Sequence, residues 1–163
     1  MIIMVQSTPA LAFGSYFREK SELPNTLLID SGDTWKGPYE SNINYGAYVT
    51  DLMNYAHFDA RAVGNHDFDW GLDVIRANTA SSYDGYSTPV LAPNCYDYDF
   101  ETGRYGNTQQ SDIGREYVTY TLENGLKVGI VGIIPDDQIQ TTCSNLVREI
   151  GFKDYKNIAK TIA

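Results

Sequence analysis

Apolar runs and stretches of helical spacing alternate along this chain. Thr26-Leu27-Leu28-Ile29-Asp30 is the first continuous apolar run and predicts a strand buried on both faces. A loop from Trp35 to Ser41, containing Pro38, follows it. Tyr45, Val49, Leu52, Met53 and Ala56 then recur at helical intervals and predict a helix over about 43–55, capped by Asn42 or Ser41. Ala60-Arg61-Ala62-Val63 reads as a second strand. Residues 71–79 read as a second helix with Leu72, Val74 and Ile75 on its apolar face, and Pro89-Val90-Leu91-Ala92 as a third strand ending at Asn94. This alternation predicts an α/β fold, with a parallel sheet and crossover helices.

The flanking regions add fewer elements. Residues 152–163 have the spacing of a helix. Residues 97–114 are polar and glycine-bearing and are expected to form a mobile excursion. Asp97, Asp99 and Glu101 fall there, but the glycine and terminal glutamate of a calcium loop are missing. Tyr117 to Leu122 and Leu126 to Val131, joined through Glu123-Asn124-Gly125, predict a β-hairpin. Its second strand stays apolar through Ile134 and is expected to enter the sheet core, with Pro135-Asp136-Asp137 ending it. No repeat or low-complexity linker divides the chain.

Composition narrows the classes. The 163 residues suffice for one core. A net charge of −9 argues against nucleic-acid binding, which needs a basic face. Cys95 and Cys143 lie far apart without metal-binding spacing and demand no disulfide. No run approaches a membrane span, and Met1-Ile2-Ile3-Met4-Val5 is too short for the core of a signal peptide, so the compartment stays unread. The 13 tyrosines, many between 83 and 117, read as amphipathic surface residues.

Chemistry concentrates in two segments, Ile29-Asp30-Ser31-Gly32-Asp33 and Val63-Gly64-Asn65-His66-Asp67-Phe68-Asp69-Trp70-Gly71. Each follows an expected strand, so its polar residues fall at a strand's carboxyl end, where open α/β sheets bind ligands. Asp33 offers a carboxylate able to bridge two cations, Asn65 an amide oxygen and His66 an imidazole. Two cations about 4 Å apart on such ligands would clamp a phosphoryl oxygen and activate a water. His57, at the exit of the first long helix, reads as structural.

Strand, Gly-Asp, helix, strand and Gly-Asn-His-Asp-Phe-Asp-x-Gly, in that order, resemble the calcineurin-like metallophosphoesterases, within them the 5′-nucleotidase branch. There the second motif usually has Glu where this chain has Asp67. Asp33-Thr34-Trp35-Lys36-Gly37, Met53-Asn54, Leu91-Ala92-Pro93-Asn94 and Gly125-Leu126-Lys127-Val128-Gly129-Ile130-Val131-Gly132 extend the resemblance over roughly residues 10–163. It implies a layered metallophosphoesterase-type sheet with flanking helices, and hydrolysis of a nucleotide or other small phosphoester through a metal-bound hydroxide. Divalent metal ions, two per complete site, would bind Asp33 and Asn65; manganese, zinc, magnesium and iron all suit such ligands. His66 would face the leaving group with Asp69 orienting it, and Asp67 would stand behind the ligands.

The family's opening Asp-x-His strand and its later Gly-His-x-His motif have no counterpart here, where His57 and His66 are the two histidines. The expectation is therefore an incomplete catalytic domain over 1–163. It would lack the C-terminal substrate-binding domain and be inactive alone, with the missing ligands supplied by sequence outside it or by another chain. The alternative is a non-catalytic α/β binding module derived from the fold. Family members are often exported, but no signal peptide is evident.

Overall fold

The computed structural model describes residues 9–135 and 147–163. Helix α1, Pro9–Ser21, leads into strand β1, Ile29–Asp30. A short helix α2, Tyr39–Asn42, and helix α3, Ala47–Ala56, cross to β2, Ala60–Ala62. A 3₁₀ turn at His66–Phe68 and helix α4, Leu72–Ala80, cross to β3, Val90–Leu91. The three strands are parallel in the order β1-β2-β3, with Ile29 beside Ala60 and Arg61 beside Val90. Strands β4, Cys95–Asp99, and β5, Arg104–Gln109, are followed by β6, Val118–Thr121, and β7, Lys127–Ile130. Strand β8, Ile150–Phe152, and helix α5, Tyr155–Ile162, complete the described elements. An antiparallel sheet β5-β4-β8 stands beside the parallel one, and β6-β7 is a separate hairpin.

This is the expected α/β class, and its core explains how the sheets are joined. Val63, Phe68, Ile75, Val90 and Ala92 from the parallel half share one buried cluster with Cys95, Ile150 and Phe152 from the antiparallel half. Phe68 and Phe152 meet edge to face at 5.3 Å. Burying such side chains stabilises a fold by roughly 1.5–3 kcal/mol each.

Several expectations need correction. The first strand is confined to two residues and Ile29 is 53 % exposed, because β1 pairs with β2 alone among the described strands. The expected helix over 43–55 is broken by Gly46, whose φ of +82° brings its α-carbon against Trp35. A side chain there would collide with the indole. Tyr45 is consequently 56 % exposed, and the buried face of α3 is Thr50, Met53, Asn54 and Ala56. Ser41 and Asn42 do not cap α3: Ser41 donates to the Trp35 carbonyl, and Asn42 brackets Gly37 through its amide and carbonyl at 3.0 and 2.8 Å.

The expected excursion over 97–114 is largely the β4-β5 hairpin. Asp99 accepts the amides of Glu101 and Thr102 in the connecting turn, and Lys153 lies 3.6 Å over the Tyr96 ring. The β6-β7 hairpin forms around Gly125 at φ +83°, but β7 does not join the parallel sheet. The chain after it instead passes against Ala62 and Leu91 at Gly132 and buries Ile134. Residues 150–152 form β8, so the last helix starts later, at Tyr155, capped by Asp154. Asp136, Asp137 and Cys143 lie outside the described residues.

Candidate functional site

Two loops leave the carboxyl ends of β1 and β2 and touch, and glycine makes the contact possible. A side chain at Gly64 would sit 2.1 Å from Asp33 Oδ1, and one at Gly32 would sit 2.7 Å from the Gly64 amide. Gly32 has φ +94°, and Asp33 itself lies in the left-handed region at φ +58°. Such a backbone persists only when its surroundings hold it.

Asp67 does much of that holding. Its side chain has no exposed surface. Oδ2 accepts the amides of Asp33 at 3.2 Å and Gly64 at 2.9 Å, and Oδ1 accepts the amide of Trp35 at 3.0 Å. Arg61 Nη2 donates to Oδ2 at 2.7 Å, and the Arg61 guanidinium stacks 3.8 Å over the Trp35 ring. Arg61 Nε also lies 3.6 Å from Asp30 Oδ2. Sequence reasoning missed Arg61, although a charged residue inside an otherwise apolar strand signals a buried partner.

Of the four residues expected to carry chemistry, Asp33 meets the backbone of the Asn65-His66 turn and Asp69 meets the His66 ring. Asp33 Oδ1 accepts the backbone amide of His66 at 2.9 Å, so its carboxylate lies against the Gly64-Asn65-His66 turn. His66 Nδ1 lies 3.0 Å from Asp69 Oδ2, and the imidazole is 56 % exposed. Lys36 Nζ donates to the same Asp69 oxygen at 2.5 Å. Burial would raise the Asp69 carboxyl, but the hydrogen bonds and charges of Lys36 and His66 outweigh it and hold the group below the ordinary carboxylate range. Lys36 had no assigned role in the sequence.

The arrangement can orient an exposed imidazole and present the Asp33 carboxylate beside the Asn65-His66 turn. Asp33 and Asn65 are hard oxygen donors of a suitable kind, but among the described residues no three His, Cys, Asp or Glu side chains converge on one point. His57 lies apart, stacked 4.2 Å from the Tyr86 ring.

No protein-family model matches the chain. A 5′-nucleotidase of Vibrio parahaemolyticus is 28% identical over 145 residues, which cover 88% of this chain and 23% of that protein. A snake venom 5′-nucleotidase of Naja atra is 45% identical over 110 residues, 66% of this chain and 19% of that protein. The chain therefore spans less than a quarter of either relative. Among solved structures, the calcineurin-like phosphoesterase YfkN of Bacillus subtilis superimposes with a TM-score of 0.62 at 23% identity, covering 93% of this chain and 46% of that one. That likeness concerns the fold.

Proposed function

We infer that this chain, a relative of the 5′-nucleotidase branch of the calcineurin-like phosphoesterases, is part of a hydrolase acting on a nucleotide-type phosphate monoester. The observation that carries the reading is the meeting of Asp33 with the Asn65-His66 turn, with Asp69 fixing the imidazole. In this reading His66 stabilises or protonates the departing oxygen and Asp69 sets its tautomer. Asp33 and Asn65 are part of a divalent-metal site. The metal ions, when a full ligand set binds them, supply Lewis-acid activation of the phosphoryl group.

The 163 residues are then an incomplete catalytic domain. Among the described residues, two metal-directed oxygen donors are too few for the site, and the relatives carry most of their length outside the matched part. The remaining ligands and the contacts to the nucleoside come from sequence beyond this segment or from a second chain. The isolated chain is inactive.

The test is hydrolysis of a nucleoside 5′-monophosphate, with added manganese, by a longer polypeptide containing this segment. His66→Ala is expected to lower kcat by roughly 100-fold, and Asp33→Asn to abolish metal-dependent turnover. The 163-residue chain alone is expected to show no turnover. Brisk hydrolysis by it, lost in Asp33→Asn, would overturn the inactivity. Full activity in the longer protein after either substitution would overturn the site.

A further inference from the structure

We propose that a second site, at the end of the parallel sheet away from Asp33 and Asn65, binds a small phosphate-bearing anion. A cavity of about 400 Å³ opens where the chain enters β3. Ser87, Thr88, Pro89 and Val90 line it from that approach, Arg76 and Thr79 from α4, and Ser111, Asp112 and Arg115 from the segment beside β3. The strands are parallel, so residues entering β3 lie at the opposite end from the loops that leave β1 and β2. This site is independent of the hydrolase reading.

Charge and hydrogen bonding set the ligand class. In a chain of net charge −9, this wall carries two guanidinium groups against one carboxylate. Asp112 is engaged by Arg76 Nε at 2.6 Å, which leaves Arg76 Nη2 for another acceptor. Asp73 stands 3.9 Å from Arg76 Nη1 but is fully solvated. Arg115 makes no ion pair among the described residues, while its backbone is fastened to β3: its amide donates to the Val90 carbonyl at 2.8 Å and its carbonyl accepts the Ala92 amide at 3.0 Å. A guanidinium on a fixed backbone beside a second one is suited to forked recognition of a tetrahedral oxyanion.

Thr88 supplies an independent observation. It is 5 % exposed, its amide donates to Asn54 Oδ1 at 2.8 Å, and its hydroxyl has no hydrogen-bond partner. Buried hydroxyls are almost always paired, so this one, on a residue that lines the cavity, is a donor still without an acceptor. Rotation about χ1 carries the hydroxyl between staggered positions and can present it to the cavity. The Thr79 and Ser87 hydroxyls already donate to the Ile113 and Ser81 carbonyls, at 3.0 and 2.8 Å. The donors left for a ligand are therefore Thr88, Ser111, Arg115 and Arg76 Nη2, a set with hydrogens to give beside one acid held by Arg76 Nε. The volume exceeds that needed by a bare phosphate and lies within the range of small-ligand sites.

The experiment is titration of the ¹⁵N-labelled 163-residue chain, without metal, with inorganic phosphate and with ribose 5-phosphate at constant ionic strength. Saturable amide shifts are expected around Thr88, Ser111 and Arg115. Thr88→Val and Arg115→Gln are each expected to weaken binding at least about tenfold, the loss of one hydrogen bond to a charged group. The double variant Asp33→Asn/His66→Ala is expected to bind as the parent does. Thr88→Val removes an unpaired buried hydroxyl and Arg115 is exposed, so both proteins retain the fold, which their thermal melts verify. Tighter binding of the sugar phosphate identifies a phosphate monoester as the ligand, and equal binding identifies free phosphate. Non-saturating shifts, binding unchanged in both cavity variants, or shifts centred on Gly64 to His66 that vanish in the double variant would each overturn the site.

Discussion

Arg61 Nη2 lies 2.7 Å from Asp67 Oδ2, and both side chains are buried, at 2 % and 0 % exposure. This pair stands under both site loops, because the same carboxylate holds the amides of Asp33, Trp35 and Gly64. Removing one partner of a buried ion pair strands the other charge, which costs about 3–5 kcal/mol. Asp67→Asn is therefore expected to lower the free energy of unfolding by about 3 kcal/mol, read from urea denaturation. The Asp33 and Gly64 amide resonances should move with it. A loss below about 1 kcal/mol, the scale of an exposed pair, would show that the carboxylate does not carry the loops.

Lys36 and His66 address the same oxygen of Asp69, at 2.5 and 3.0 Å. The Asp69 carboxyl titrates below its ordinary value because these two contacts outweigh burial, so removing the cation should move it upward. Lys36→Met is expected to raise the Asp69 titration midpoint, measured by ¹³C NMR of the side-chain carboxyl. Lys36 is 42 % exposed, so the stability change is expected to stay below about 1 kcal/mol. An unmoved midpoint would mean that Lys36 does not sit on Asp69 in solution.

The site loops were legible because their chemistry is local. Gly32, Asp33 and Gly64-Asn65-His66 occupy strand ends that the apolar runs already define, and His66 and Asp69 are brought together by a single 3₁₀ turn. The support beneath them was legible only in part: the resemblance put Asp67 behind the ligands, but neither its partner Arg61 nor the amides it gathers could be read. Arg61 and Asp67 are six residues apart, and nothing in the pattern says that one carboxylate should gather amides from a loop thirty residues upstream. The β4-β5 hairpin was hidden for a different reason. Its residues are mostly polar and half-exposed, and apolar periodicity reports burial rather than strand pairing. The helix break at Gly46 depends on Trp35, a contact outside any local window.

His57 offers a pH-dependent check on the fold. It ends α3 in the left-handed region at φ +54° and stacks on Tyr86, and burial, aided by the Arg18 charge, pulls its pKa below the ordinary value of 6.5. A histidine lowered on folding takes up its proton more readily in the unfolded chain. Its contribution is therefore neutral above pH 6.5 and becomes destabilising as the pH falls from there towards the folded value, below which it levels off. Thermal melts from pH 8 to pH 5 should show a decline that His57→Gln makes shallower. An identical decline in that variant would assign the acid sensitivity to other groups.

Asn94 is the strand-end residue whose role is easiest to isolate. It has no exposed surface. Its Nδ2 donates to the Ile134 and Lys153 carbonyls at 2.6 and 3.1 Å, and its Oδ1 accepts the Ile134 amide at 3.3 Å. Its carbonyl accepts the Lys153 amide at 2.8 Å, so one residue fastens the chain after β7 and the chain after β8 to the end of β3. Asn94→Ala leaves buried backbone groups unpaired and is expected to cost about 2–3 kcal/mol. Asn94→Asp is expected to cost more at neutral pH, because an ionised carboxylate cannot donate to two carbonyls and is itself desolvated. Protonating it restores one donor and removes the charge, so the aspartate variant should recover part of its loss relative to the parent as the pH is lowered. Chemical denaturation of the three proteins at pH 7 and pH 4.5 measures this directly. An aspartate variant as stable as the parent at pH 7 would mean that water reaches this position.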